Sequence, residues 1–242
     1  MKKYFPTEYI LQIYNLLIFL FLLLFAGKVE NLFLMLAIHV FMAVTIHYLN
    51  FIKFRYENIA VNFLIILAPV LLFSWYHYEC GLINRFIFPD FFDNAIQKLD
   101  VWVFGKSYHK ILARSLNSEI ADQLIHFFYF SYYGILFIPA FLLMLNERKK
   151  LENPTWQHFV LTRKLLFTVT FTMLLCYVIF IIFPVKGPTD YHRVLFPDPK
   201  GMVKIMNFLY ANGDTDGGAV PSSHVAVSFV ITIFIFRHFK KI

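Results

Sequence analysis

Gly217-Gly218-Ala219-Val220-Pro221-Ser222-Ser223-His224 opens the last apolar segment of the chain, which continues through residues 225–236. A glycine-rich loop here becomes a helix whose first turn carries serine and histidine. Upstream, just past the end of another apolar segment, stand Lys186 and Arg193 with six residues between them. Both polar stretches lie at the ends of apolar segments, so reading those segments decides the fold.

Composition already limits the answer. The 242 residues are 59% hydrophobic, 20% aromatic and 15% charged, with mean hydropathy +0.62. A soluble domain carries about 25% charged residues, so the deficit argues for a membrane protein. Lys and Arg number 22 against 15 Asp and Glu, a net charge of +7. In a membrane protein that excess gathers on the cytoplasmic side, against anionic lipid. There is no soluble basic domain to carry it, so no nucleic-acid partner is expected. The two cysteines are Cys80, near a membrane edge, and Cys176, inside an apolar run. They are not expected to pair.

Six apolar segments are long enough to span: 9–26, 32–49, 60–76, 120–145, 159–183 and 221–239. Strands with open edges would leave backbone groups unpaired in lipid, so the expected fold is an all-α polytopic membrane bundle of about six transmembrane helices. Lys2 and Lys3 precede the first segment as they would in a signal peptide. Glu8 interrupts that basic region and further spans follow, so an uncleaved first helix is expected. Lys53, Arg55, Arg148, Lys149, Lys150, Arg163 and Lys164 sit in short loops hard against the segments. Most cations on the other side lie in two long loops. Both termini are therefore expected in the cytoplasm, with the 185–220 loop outside. Segment 82–118 is too polar to span and suggests an interfacial helix or re-entrant turn. The 185–220 loop is rich in proline and glycine and reads as turns.

Pro221, Ser222 and Ser223 suit a plain helix start, since serine caps and proline is tolerated at the entry. The same start also presents free N–H groups and the positive end of a helix dipole to an anion. His224, in the first turn, can exchange a proton with a phosphate oxygen. Lys186 and Arg193, taken singly, read as snorkelling cations at a helix end. Pro184, Gly187 and Pro188 break the chain beside them, however, and hold Lys186 near the membrane surface. Arg offers a planar fork and Lys a point charge to the same phosphate.

Together these residues resemble the type-2 phosphatidic acid phosphatase superfamily of membrane lipid phosphatases and phosphotransferases. Its first motif, Lys, six residues, Arg, Pro, is matched by Lys186 to Arg193, with Val194 in place of the proline. Its second, Pro-Ser-Gly-His, is matched by Pro221-Ser222-Ser223-His224. The Ser-Ser-His form, Gly218-Ala219 and Tyr129-Phe130-Ser131-Tyr132-Tyr133 look like the branch containing inositol phosphorylceramide synthases and their bacterial relatives. The third motif, Ser-Arg, five residues, His, with an Asp four residues on, is not present in the 242 residues.

The resemblance implies a membrane region of three helices over 1–81 and a phosphatase- or phosphotransferase-like domain over 82–242, cut short of the third motif. It implies a phosphatase or phospho-headgroup transferase acting on a phosphorylated lipid, without metal or other cofactor, at the outer face of a bacterial inner membrane. Lys186, Arg193, Ser222 and Ser223 would bind phosphate and His224 would act as acid. Asp122, His126, Tyr133 and His192 are candidates for the surrounding pocket. Because the nucleophilic histidine belongs to the third motif, the chain is expected to be catalytically incomplete. The alternative is a non-catalytic protein that binds lipid phosphate or scaffolds a partner. Residues 212–217 imitate the start of a calcium loop, but Ser223 stands where that loop needs a bidentate glutamate, so a turn is expected.

Overall fold

A computed structural model of the chain describes residues 5–55, 58–108, 111, 118–151, 155–187, 200–213 and 215–239. The described residues form α-helices joined by turns, and the only extended pairing among them is one isolated bridge. In order the helices are α1 (Pro6–Leu24), α2 (Leu32–Arg55), α3 (Ile59–Ile83), α4 (Asp93–Phe104), α5 (Glu119–Ile135), α6 (Ile138–Arg148), α7 (Val160–Ile182), α8 (Gly201–Gly213) and α9 (Ser223–Phe239).

Among the described residues, four helices are long and apolar enough to cross a membrane: Pro6–Leu24, Leu32–Ile52, Ile59–Ile83 and Val160–Ile182. Large apolar side chains on them face outward, with Leu24 78%, Phe33 87% and Phe41 70% exposed. In water each would forgo about 1.5–3 kcal/mol of burial; in lipid they are in their own solvent. This is an integral membrane protein, an all-α bundle.

The expected span count changes in detail. Segment 120–145 is the pair α5 and α6, interrupted at Leu136 and Phe137, and makes a fifth span only if counted as one. Pro139 supplies no N–H and sits in the first turn of α6, where none is needed. The last segment starts at Ser223 rather than Pro221 and has 17 residues, short of a full span. The 185–220 loop is not turns throughout, because α8 occupies 13 residues of it. Val203 and Met206 of α8 are buried, and Gln123 closes its start by accepting from Met202 N at 2.7 Å. Segment 82–118 does contain a short helix, α4, which has no buried residue and leaves Trp102 82% exposed. That suits a helix lying at an interface.

The chain divides into two compact units, neither a single stretch of sequence. The first comprises Met1–Phe73, Ile135–Leu175 and Val225–Ile242. Within it α1 and α2 run antiparallel and are tied by amides, because polar bonds between helices keep their strength where no water competes. Gln12 Nε2 donates to Ala43 O at 2.9 Å, Asn15 Nδ2 to His39 O at 2.9 Å, and His39 Nδ1 meets Asn15 Oδ1 at 2.7 Å. His39 is thus a packing residue. The start of α7 leaves N–H groups without helical partners. Glu147 takes them: Leu161 N donates to its Oε1 at 2.8 Å, Thr162 N and Oγ1 to its Oε2 at 3.0 and 2.7 Å.

The second unit comprises Ser74–Gly134 and Cys176–His224. Its core is aromatic. Tyr76, Tyr177 and Phe180 are almost wholly buried, and the His77 ring lies edge-on to Phe180 with centroids 6.4 Å apart. Cys80 and Cys176 are buried free thiols. All the described candidate site residues lie in this unit.

Candidate functional site

Lys186 follows the end of α7. Phe183 stacks on Phe92 with centroids 4.4 Å apart, and Phe92 N donates to Pro184 O at 2.9 Å. The next residue, Asp93, then receives two consecutive main-chain donors. Lys186 N donates to its Oδ2 at 2.9 Å and Gly187 N to its Oδ1 at 2.8 Å. The turn therefore has a fixed shape. Gly187 adopts φ +77°, and a Cβ there would come within 2.9 Å of Ala219 Cβ.

The far side of the turn is held by the glycine-rich segment. Val185 and Gly218 form a parallel bridge, with Val185 N donating to Gly217 O at 3.1 Å and Ala219 N to Val185 O at 2.9 Å. Gly217 has φ +104°, and a side chain there would strike the Asn84 amide, whose Nδ2 donates to Asp216 O at 2.7 Å. A residue with a Cβ would be excluded twice, by conformation and by space. The turn at Lys186 and the glycine-rich segment, 31 positions apart from Lys186 to Gly217, are thus laced side by side. Lys186 Nζ is 3.7 Å from Asp216 Oδ2, a partly exposed pair. An ion pair this exposed contributes at most about 1 kcal/mol.

From Ala219 the chain reaches α9. Ser222 is exposed and stands immediately before the helix, while Ser223 is 7% exposed and its hydroxyl bonds with that of Tyr132. The His224 ring lies 4.1 Å from Tyr129 at 28° and 4.0 Å from Tyr132 at 36°. Two rings so near and so close to parallel fit only on opposite faces of the imidazole. Helix α5 supplies both, since positions 129 and 132 fall on one face. Tyr210 of α8 meets the Tyr129 ring edge-on at 5.9 Å.

Ser222, Ser223, His224 and Lys186 therefore belong to one local framework. His192 and Arg193 lie outside the described residues. Of the pocket candidates, His126 is buried but its Nδ1 meets its own helix at Asp122 O, 2.7 Å away. That is a backbone contact, and the Asp122 carboxylate interacts electrostatically with the same ring. Tyr133 is 42% exposed and touches the edge of the Tyr132 ring; the contact with His224 is made by Tyr132. Sequence reasoning missed Asp93, which lies 93 positions before Lys186 and carries no motif. It missed Gln123 for the same reason. The spacing of Tyr129 and Tyr132 was a usable signal, since it puts two rings on one helix face. No group of three or more His, Cys, Asp or Glu suited to a metal occurs among the described residues.

The site thus offers a cation at a fixed turn, hydroxyls at a helix start and an imidazole gripped by two phenols. Such a set can bind an anion and move a proton. No protein-family model, curated protein or solved structure matches the chain.

Proposed function

We propose that this protein binds the phosphate of a membrane lipid and belongs to the chemistry of lipid phosphatases and phospho-headgroup transferases. Lys186 and Arg193 clamp the phosphate, Ser222 and Ser223 present hydroxyl or main-chain donors, and His224 protonates the departing oxygen. The charge that develops on three phosphoryl oxygens is what such a clamp stabilises. The site opens to the side opposite the cytoplasm, both termini being cytoplasmic.

One observation carries the reading. The bridge between Val185 and Gly218 lays the Lys186 turn against the segment leading to His224. The described start of the first motif thus lies beside the segment that leads into the second, an arrangement that supports one shared anion.

A second reading has its own support. The nucleophile of such enzymes is a histidine oriented by a carboxylate, and His126 Nδ1 is instead engaged by a main-chain oxygen. A protein with the described site alone would bind lipid phosphate without turning it over.

The test uses the purified chain in nanodiscs. Orthovanadate and a short-chain phosphatidic acid should bind, and Lys186→Ala and His224→Ala should each weaken the binding of vanadate, which mimics the transition state, roughly ten-fold or more. Phosphate release from the same preparation separates the two readings. Vanadate affinity unchanged in both variants would overturn the shared site.

A further inference from the structure

Helix α8, in the second unit, has a surface that the proposed phosphate site does not use. The helix is held on one side and open on the other. The Gln123 amide grips its start, accepting from Met202 N at 2.7 Å and donating to Lys200 O at 3.0 Å. Val203 and Met206 are buried, and the Tyr210 ring meets that of Tyr129. At about 100° per residue, Val203, Met206 and Tyr210 share one face. Around the opposite side come Lys200, Lys204, Phe208 and Ile205, in that order. All four are exposed, Phe208 by 67%.

The open side therefore has a cationic flank and an apolar flank. No single bulk medium suits both. Water would leave Phe208 and Ile205 unburied, and hydrocarbon would strip the two lysines of their hydration. The boundary between the two media satisfies both flanks at once, with the apolar side chains among acyl chains and the amines among headgroups. The depth agrees. Glu119 and Asp122 lie in the first turn of α5 and mark its polar end, and Gln123, the next residue, ties the start of α8 to that end. Charge adds a preference. Among the described residues neither Lys200 nor Lys204 makes an ion pair, so anionic headgroups complement them. Helix α4, the other short helix at an interface, carries Asp93, Lys98 and Asp100 and has no cationic excess.

We infer that α8 is a membrane-surface helix that selects anionic lipid, with Ile205 and Phe208 among the acyl chains and Lys200 and Lys204 on lipid phosphates. Its seat touches the candidate site, since the Tyr210 ring meets Tyr129, which stacks on His224. The inference does not depend on the phosphate site built on Lys186.

A nitrobenzoxadiazole label on Ile205→Cys reads the contact, because the native thiols are buried. The labelled protein is placed in phosphatidylcholine nanodiscs containing increasing fractions of phosphatidylglycerol or phosphatidylcholine that carries a nitroxide in the acyl chain. Both lipids should quench the label. Half-maximal quenching is expected at a roughly five-fold lower fraction of the anionic lipid, the factor that one lysine at the surface provides. Lys200→Gln combined with Lys204→Gln should bring the two curves together while full quenching is kept. Both lysines are exposed, so the fold should survive the change. A label that neither lipid quenches would put α8 in water and overturn the proposal. Coincident curves in the parent would do the same by removing the selection for charge. An equal preference at a Val103→Cys label on α4 would trace it to the charge of the whole protein and also overturn it. So would a label shielded from lipid in discs holding two chains, since a second copy would then occupy the face. Vanadate binding is read separately, so failure here and failure of the phosphate site are distinguishable.

Discussion

Asp93 holds the main chain of Lys186: its carboxylate takes the Lys186 N–H at 2.9 Å and the Gly187 N–H at 2.8 Å. The Lys186 side chain approaches Asp216 Oδ2 at 3.7 Å across partly exposed surface. The backbone of this turn is therefore fixed by one carboxylate. Two bonds to a charged acceptor are worth about 1.5–3 kcal/mol each before overlap is discounted, against at most about 1 kcal/mol for an exposed ion pair. Asp93→Ala is expected to destabilise the protein by about 2–4 kcal/mol in reversible unfolding in mixed micelles, and Lys186→Ala by less than about 1 kcal/mol. Equal losses would show that the clamp does not fix the turn.

The two phenols on His224 do different things. Tyr132 gives a ring face to the imidazole and a hydroxyl to Ser223. Tyr132→Phe keeps the ring contact and loses one hydrogen bond, a cost of about 1 kcal/mol. Tyr132→Ala loses the ring as well and leaves a gap, costing about 3–5 kcal/mol. If His224 works in the orientation these rings impose, vanadate affinity should follow the same order: little change in the Phe variant, a ten-fold or greater loss in the Ala variant. An Ala variant that binds vanadate normally would separate the stack from the site.

Gly217 is fixed by two independent constraints, a φ of +104° and contact with the Asn84 amide. Gly217→Ala should cost about 2–4 kcal/mol, combining left-region strain with the clash. Adding Asn84→Ala relieves the clash and leaves the strain. The double variant should thus recover part of the loss attributable to Gly217→Ala, and a double-mutant cycle of unfolding free energies measures that coupling. Strict additivity would mean that Asn84 does not press on this glycine.

Much of the fold was legible because the bilayer simplifies the rule: an apolar run long enough to span must be a helix. What was not legible follows from polar, long-range contacts. The break at Leu136 and Phe137 sits inside an unbroken apolar run, so hydropathy sees one segment where there are two helices. Helix α8 was hidden by the prolines and glycines around it, while the burial of Val203 and Met206 and the bond to Gln123 stabilise it from outside its own sequence. In the site, Ser222, Ser223 and His224 were readable because they adjoin one another at a helix start. Asp93 was not, because one carboxylate on two backbone N–H groups leaves no pattern in either stretch.

Orientation has a direct test. Lys204 of α8 is exposed, and the native thiols Cys80 and Cys176 are buried. A single Lys204→Cys substitution should therefore be labelled by an impermeant maleimide added outside intact cells, over a low background. The expectation rests on cations set hard against helices on the other side, which the positive-inside rule assigns to the cytoplasm. Labelling that appears only after lysis would invert the topology and put the site inside.

The chemistry is tested last, in a preparation that turns over, either the 242 residues alone or the same chain joined to a Ser-Arg-five-His-four-Asp turn and one further helix. Lys186→Ala, Arg193→Ala and His224→Ala should each cost on the order of 2–4 kcal/mol of transition-state stabilisation, because each removes a charge or a proton from the same phosphoryl group. His126→Ala should cost far less. Its Nδ1 is engaged by Asp122 O within its own helix, which is a packing arrangement. The split matters more than any single value: kcat should fall in the His224 variant with KM little changed, as expected for a group used only in the transition state. Hydrolysis by the chain alone that disappears in His126→Ala would assign the nucleophile to α5 and reverse the roles of the two histidines.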